Sequence, residues 1–141
     1  MARPLIVVAG CEDGTYLVEV GASAAEDQVA GRQPGAAVER ERPLGLAPPW
    51  AAGRVLDVDA RGSTVVLLLD RKPPLAVSHD GGVTWTERGA GLPPGRAVAL
   101  GENPDHVLYA ARNRLHVSGD GGVFWRALAV ELPEIHDVAW G

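Results

Sequence analysis

Two stretches of the chain carry the same chemistry-bearing side chains in the same order. Leu75 to Trp85 reads LAVSHDGGVTW, and Leu115 to Trp125 reads LHVSGDGGVFW. Eight of the eleven positions are identical, and Ser78/Ser118, Asp80/Asp120, Gly82/Gly122 and Trp85/Trp125 each lie forty residues apart. The pattern is turn chemistry. A short aspartate accepts backbone N–H groups two residues on. The glycines supply positive φ without a Cβ clash, and a serine hydroxyl bonds within the same turn. Thr84 and then Trp85 close the first copy; Phe124 replaces the threonine before Trp125. Each tryptophan brings a large apolar area to the start of the next strand. Cation binding is the competing chemistry. A calcium loop needs carboxylates at alternating positions and a distal glutamate, whereas each loop here offers one carboxylate, so no metal is expected.

The remaining reactive residue types do not assemble into a catalytic set. His79, His106, His116 and His136 are scattered without metal-ligand spacing. Tyr16 and Tyr109 fall on strand-like runs. Cys11 follows one, with nothing beside it to activate the thiol. There is no Gly-x-Ser-x-Gly elbow and no phosphate-cradling glycine loop. No carboxyl pair can be nominated for glycoside hydrolysis. Catalytic residues and cofactors are therefore expected to be none.

The elements that position the repeated turns are short strands. Thr64–Leu69 (TVVLLL), His106–Ala111 (HVLYAA) and Leu5–Gly10 (LIVVAG) are apolar, β-branched runs of strand length. After Leu/Pro connectors come Val55–Ala60, Ala97–Glu102 and Ile135–Trp140; proline suits such connectors because it cannot donate to a ladder. The spacing predicts one domain over 1–141 made of three four-stranded units. The first spans 5–42, with its last strand at Val38–Arg42, and takes in the C-terminal strand 135–140. The second spans 54–88 and the third 96–128. The stretch 21–37 is expected to be a loop or a short helix around Ala24–Ala30. A repeat of about forty residues with four strands is the signature of a β-propeller blade.

Composition agrees with an all-β chain. Eighteen glycines and eleven prolines in 141 residues favour turns over helical bundles. The net charge of −5 argues against a nucleic-acid binder that works by phosphate neutralisation. One cysteine leaves no internal disulfide. No stretch approaches the roughly 18 apolar residues of a membrane span, and the N-terminus lacks a signal-peptide pattern. A cytoplasmic protein without membrane contact is expected.

Ser78-His79-Asp80-Gly81-Gly82-Val83-Thr84-Trp85 resembles the Asp-box, or BNR, repeat of sialidase-like and photosystem-stability-factor-like β-propellers, and Ser118–Trp125 matches it apart from Phe124. The resemblance covers the second and third units and is absent from the first. It implies an all-β fold of propeller blades with the motif on a structural turn. On a propeller of this type the connectors and loops at one end form the ligand face. That face would hold Arg54, Arg96, Arg71, Lys72, Arg112 and Arg114, a basic cluster suited to an anionic small molecule or an acidic partner. Three blades are too few for an ordinary ring and would leave apolar flanks in water, so ring completion by a homo-oligomer, a two-fold dimer first, is expected. The functional expectation is a non-catalytic binding or protein-interaction module. A carbohydrate-binding lectin, with Trp50 and Trp140 stacking on sugar, and a glycosidase-like enzyme are the alternatives.

Overall fold

The computed structural model describes residues 5–34, 38, 40–43 and 45–141. Within them the regular structure is twelve β-strands and two three-residue 3-10 turns, at Ala24–Glu26 and Pro49–Ala51. The strands are β1 (Leu5–Cys11), β2 (Gly14–Val20), β3 (Gln28–Gln33), β4 (Val55–Arg61), β5 (Thr64–Leu69), β6 (Leu75–Ser78), β7 (Thr86–Arg88), β8 (Ala97–Leu100), β9 (Val107–Ala110), β10 (Arg114–Ser118), β11 (Arg126–Glu131) and β12 (Ile135–Trp140). No helix among these residues is long and apolar enough to cross a membrane.

The strands form three four-stranded antiparallel sheets, ordered β12-β1-β2-β3, β4-β5-β6-β7 and β8-β9-β10-β11. We call them the first, second and third sheets. In the first, the C-terminal strand pairs with the N-terminal one, Val7 opposite Trp140 through Gly10 opposite Asp137, with a bulge before Cys11. The two ends of the chain are thus tied by ladder hydrogen bonds.

The alternation of side chains along each strand builds the core. One face of the third sheet sets Val98, Leu100, Val107 and Tyr109 against Val66, Leu68, Leu75 and Val77 of the second. The other face sets Ala99, Leu108, Ala110 and Leu115 against Val7, Ala9, Val18 and Val138 of the first. Fully burying each larger apolar side chain contributes about 1.5–3 kcal/mol, and the third sheet gains this on both sides. Strand β8 lies between β4 and β12. The arrangement fits propeller-like blades, and among the described residues no closed ring is formed.

Three details depart from the sequence expectation. The fourth strand of the first sheet is Gln28–Gln33, not Val38–Arg42. Gly21 N–H donates to Asp27 Oδ1 (2.9 Å) and Ala22 N–H to Glu26 Oε2 (2.8 Å), which turns the chain back beside β2. Val38 and Arg40–Arg42 belong to no strand, and Glu39 falls outside the described residues. Strands β7 and β11 start after the tryptophans, at Thr86 and Arg126, because the turns hold residues 78–85 and 118–125. Finally, the apolar flank of the second sheet does not lie in water. Ala51 packs on Leu67, Leu69 and Ala76, with Val55, Val58 and Trp85 beside them, so the connector before β4 covers that face. On the outer side of the first sheet Ile6 and Val8 are half-buried and Leu17 is exposed.

Candidate functional site

The repeated turns are built almost identically. Asp80 Oδ1 accepts from Ser78 Oγ (2.7 Å), Val83 N–H (3.1 Å) and Thr84 N–H (2.9 Å), and Oδ2 accepts from Thr84 Oγ1 (2.6 Å). Gly82 N–H donates to Ser78 Oγ (2.8 Å), and the Trp85 indole donates to Gly82 O (3.0 Å). Asp120 accepts from Ser118 Oγ (2.7 Å), Val123 N–H (3.2 Å) and Phe124 N–H (3.0 Å). Gly122 N–H donates to Ser118 Oγ (2.9 Å) and Trp125 to Gly122 O (2.8 Å). Gly81 and Gly82 sit at φ 72° and 97°, Gly121 and Gly122 at 75° and 94°, the left-handed region that glycine tolerates. Both aspartates are held below the ordinary value of 3.8. For Asp80 the Thr84 hydroxyl is the largest cause. For Asp120 it is the Phe124 N–H. Carboxylates engaged in this way serve the turn.

A second set of acidic residues ties the sheets together, and the sequence reading missed it. Asp57 Oδ2 accepts Val98 N–H (3.0 Å) and Asp59 Oδ2 accepts Leu100 N–H (2.8 Å), so side chains of β4 satisfy the free edge of β8. Trp140 of β12 also reaches β8, its indole N–H donating to Ala99 O (3.2 Å). Arg40 pairs with Asp57 (2.7 Å), Asp59 (3.2 Å) and Asp137 (3.3 Å), and Arg42 reaches both Asp57 (2.6 Å) and Asp137. The connector between the first two sheets thus bridges β4 and β12. Burial disfavours the Arg42 charge, but hydrogen bonds to Asp137 and Asp57 outweigh it and raise its pKa. Asp57 and Asp137 occupy the same place in VLDVDA and IHDVAW, which was the available signal. At the other junction Arg126 binds Asp27 (2.6 Å), whose carboxylate also accepts Gly21 and Ala129 N–H. Burial pushes Asp27 up, and Arg126 with the two backbone N–H groups outweighs it, leaving the pKa below 3.8.

Three of the six basic residues assigned to a ligand face stand beside acidic side chains. Arg96 pairs with Glu134 (2.9 Å), Arg114 with Glu131 (2.7 Å), and Arg71 stands 4.0 Å from Glu87. Arg96 lines a cleft of about 450 Å³ with Arg42, Asp57, His136 and Asp137. Glu134 is held below its ordinary range first by Arg96, then more weakly by Arg112 and His136. Arg71 and Lys72 line a different cleft of about 230 Å³, with Leu56, Leu92, Pro93 and Pro94. Arg54 and Arg112 are exposed. Among the described residues no group of three or more His, Cys, Asp or Glu is placed to hold a metal ion.

The two tryptophans outside the turns also part company. Trp140 is half-buried against His106, rings 6.0 Å apart. Trp50 is 49% exposed. It meets Trp85 edge-on, centroids 6.1 Å apart at 85°, and Arg71 lies over its ring at 5.4 Å. Cys11 is buried, and burial, with help from Asp13 and Glu12, pushes its thiol up to about 11. No family model matches the chain, and no curated protein matches it in sequence.

Proposed function

We propose that the chain is a non-catalytic binding module built from Asp-box-type propeller blades. The observation that carries this reading is the use of its recurrent carboxylates. Asp80 and Asp120 are occupied by turn hydrogen bonds, and Asp27, Asp57, Asp59 and Asp137 by arginines and backbone N–H groups. A general acid needs a raised pKa and an open approach to substrate; the shifts at Asp27, Asp80 and Asp120 run downward. The recognition groups left open are aromatic and cationic instead, the exposed Trp50 and the partly buried Arg71 beside it foremost. The test pairs native mass spectrometry of the purified protein with a fluorogenic sialoside assay. A bound small molecule and no turnover are expected; turnover proportional to protein concentration overturns the reading.

Ring completion by a second copy has its own supporting observation, the exposed Leu17 beside Ile6 and Val8 on the outer side of the first sheet. Covering that side with a second copy would take these side chains out of water. Light scattering at micromolar concentration reads it directly. A dimer gives twice 14.8 kDa; the single-chain mass leaves the connector as the closing element.

A further inference from the structure

We propose that the cleft between Trp50 and Trp85 binds a single neutral pyranose ring, the terminal unit of a glycan or a free glycoside. This deepens the binding-module reading and rests on it. The cleft has a volume of about 420 Å³ and is lined by Trp50, Arg71, Ala76, Trp85 and Glu87. That volume is within the range of roughly 300–1,000 Å³ common to small-molecule sites.

The side chains offer three complementary features. The first is an aromatic corner, the two indoles standing 85° apart with Trp50 about half in solvent. The C–H face of a pyranose is a flat apolar surface that packs on such a ring. The second is unused hydrogen-bonding capacity next to that corner. Arg71 Nη2 and Glu87 Oε1 stand 4.0 Å apart, beyond hydrogen-bond distance. A guanidinium presents only donors and a carboxylate only acceptors. A vicinal diol, whose hydroxyls both donate and accept, fits between them. The third feature is charge. Arg71 and Glu87 cancel, so the cleft has no net attraction for an anion, and the neutral sugar is the matching class.

The site is held by elements that do not need a ligand. Trp85 is fixed by its bond to Gly82 O, and Trp50 rides on the Pro49–Ala51 turn, whose Ala51 is fully buried. Arg71 follows β5 and Glu87 lies on β7, both strands of the second sheet. The residues that would touch sugar therefore project from a packed support.

The experiment is a tryptophan-fluorescence titration of the whole chain with the methyl glycosides of glucose, galactose, mannose and N-acetylglucosamine. A saturable change with Kd of about 1 mM or tighter is expected for at least one. Trp50→Ala should weaken that binding at least about tenfold and Glu87→Gln roughly threefold to tenfold, with thermal melts confirming that both variants fold. Should Trp50→Ala melt out, Glu87→Gln and Arg71→Lys carry the test. No saturation by any of the four up to about 50 mM overturns the proposal. Binding that ignores all three substitutions overturns the cleft but leaves the binding-module reading standing. A response to methyl glucuronide alone overturns the neutral class. Trp50 quenching that depends on protein concentration without sugar assigns the cleft to a second copy and also overturns it. Turnover of the fluorogenic substrate is a separate readout, which sinks the module reading itself.

Discussion

The turn at Ser78–Trp85 and the turn at Ser118–Trp125 share all but one of their internal hydrogen bonds and differ in what lies beside them. Trp125 packs edge-on to Tyr109, centroids 5.9 Å apart, in the core between the second and third sheets. Trp85 meets Trp50 of the connector. A Cβ on either Gly122 or Gly82 would meet its own motif tryptophan, and beyond it Arg88 of the neighbouring sheet for Gly122 but the Leu46 backbone of the connector for Gly82. The connector thus stands toward the second sheet as the second sheet stands toward the third. The next residue differs as well. Arg126 reaches across to Asp27 of the first sheet, while Thr86 is exposed and small. One local motif supplies a rigid corner, and the residues flanking it decide whether the corner seals a core or edges an open cleft.

The largest expected effect breaks that contrast at the tryptophans. Trp125→Ala should destabilise the chain by about 2–4 kcal/mol, because it empties space between two sheets. Trp85→Ala should cost about half as much, since its partner Trp50 is already half in solvent. Chemical denaturation measures both; equal losses would show that the two environments are energetically the same. Next comes Arg126→Ala, expected to cost about 2–3 kcal/mol because it strands a buried carboxylate, against a few tenths for Thr86→Ala.

The Arg126 variant also has a pH signature. Asp27 has a folded pKa below its unfolded value near 3.8. Its stabilisation is therefore present above that value and lost as pH falls through the lower folded one. Removing Arg126 leaves burial, which raises the pKa, opposed only by the two backbone N–H groups. The acid-unfolding midpoint should move to higher pH in Arg126→Ala and stay in place in Thr86→Ala, as circular dichroism across pH 2–6, about the span in which carboxylates titrate, can follow.

How legible each part was depends on how local it is. The two turns could be read because the partners of their serine, aspartate and tryptophan side chains lie within four residues, and the strands before them because TVVLLL and HVLYAA are apolar, β-branched runs of strand length. Strand β3 was hidden because QVAGRQ is an exposed edge with a single large apolar residue. The Arg40 and Arg42 network links residues as far as 97 positions apart, and only the aligned aspartates in VLDVDA and IHDVAW hinted at it. The Trp50–Trp85 corner was out of reach. It exists because a proline-started turn folds over the second sheet, and no period in the sequence encodes that approach. Expecting a bare flank there treated the connector as a tether, when Ala51 makes it part of the core.

The smallest expected effect sharpens the comparison inside the turns. Thr84 and Phe124 are the one difference between them that touches the aspartate. The Thr84 hydroxyl donates to Asp80 Oδ2 at 2.6 Å and is the chief reason that carboxyl titrates low. Phe124 gives Asp120 only its backbone N–H and leaves its ring 77% exposed. Phe124→Thr should therefore give Asp120 the missing donor and lower its pKa further, while Thr84→Val should let Asp80 rise toward its ordinary value. Both aspartates have depressed folded pKa values, so each contributes stability above about pH 4 that fades in acid as the folded pKa is crossed. The exchange should move the melting temperature by roughly 1–2 °C at neutral pH, upward for Phe124→Thr and downward for Thr84→Val, since no packed core is touched. Carboxyl NMR titration reads the two aspartates individually. If Asp120 does not shift in Phe124→Thr, the hydroxyl is not what distinguishes the turns, and the difference must come from the neighbouring sheet instead.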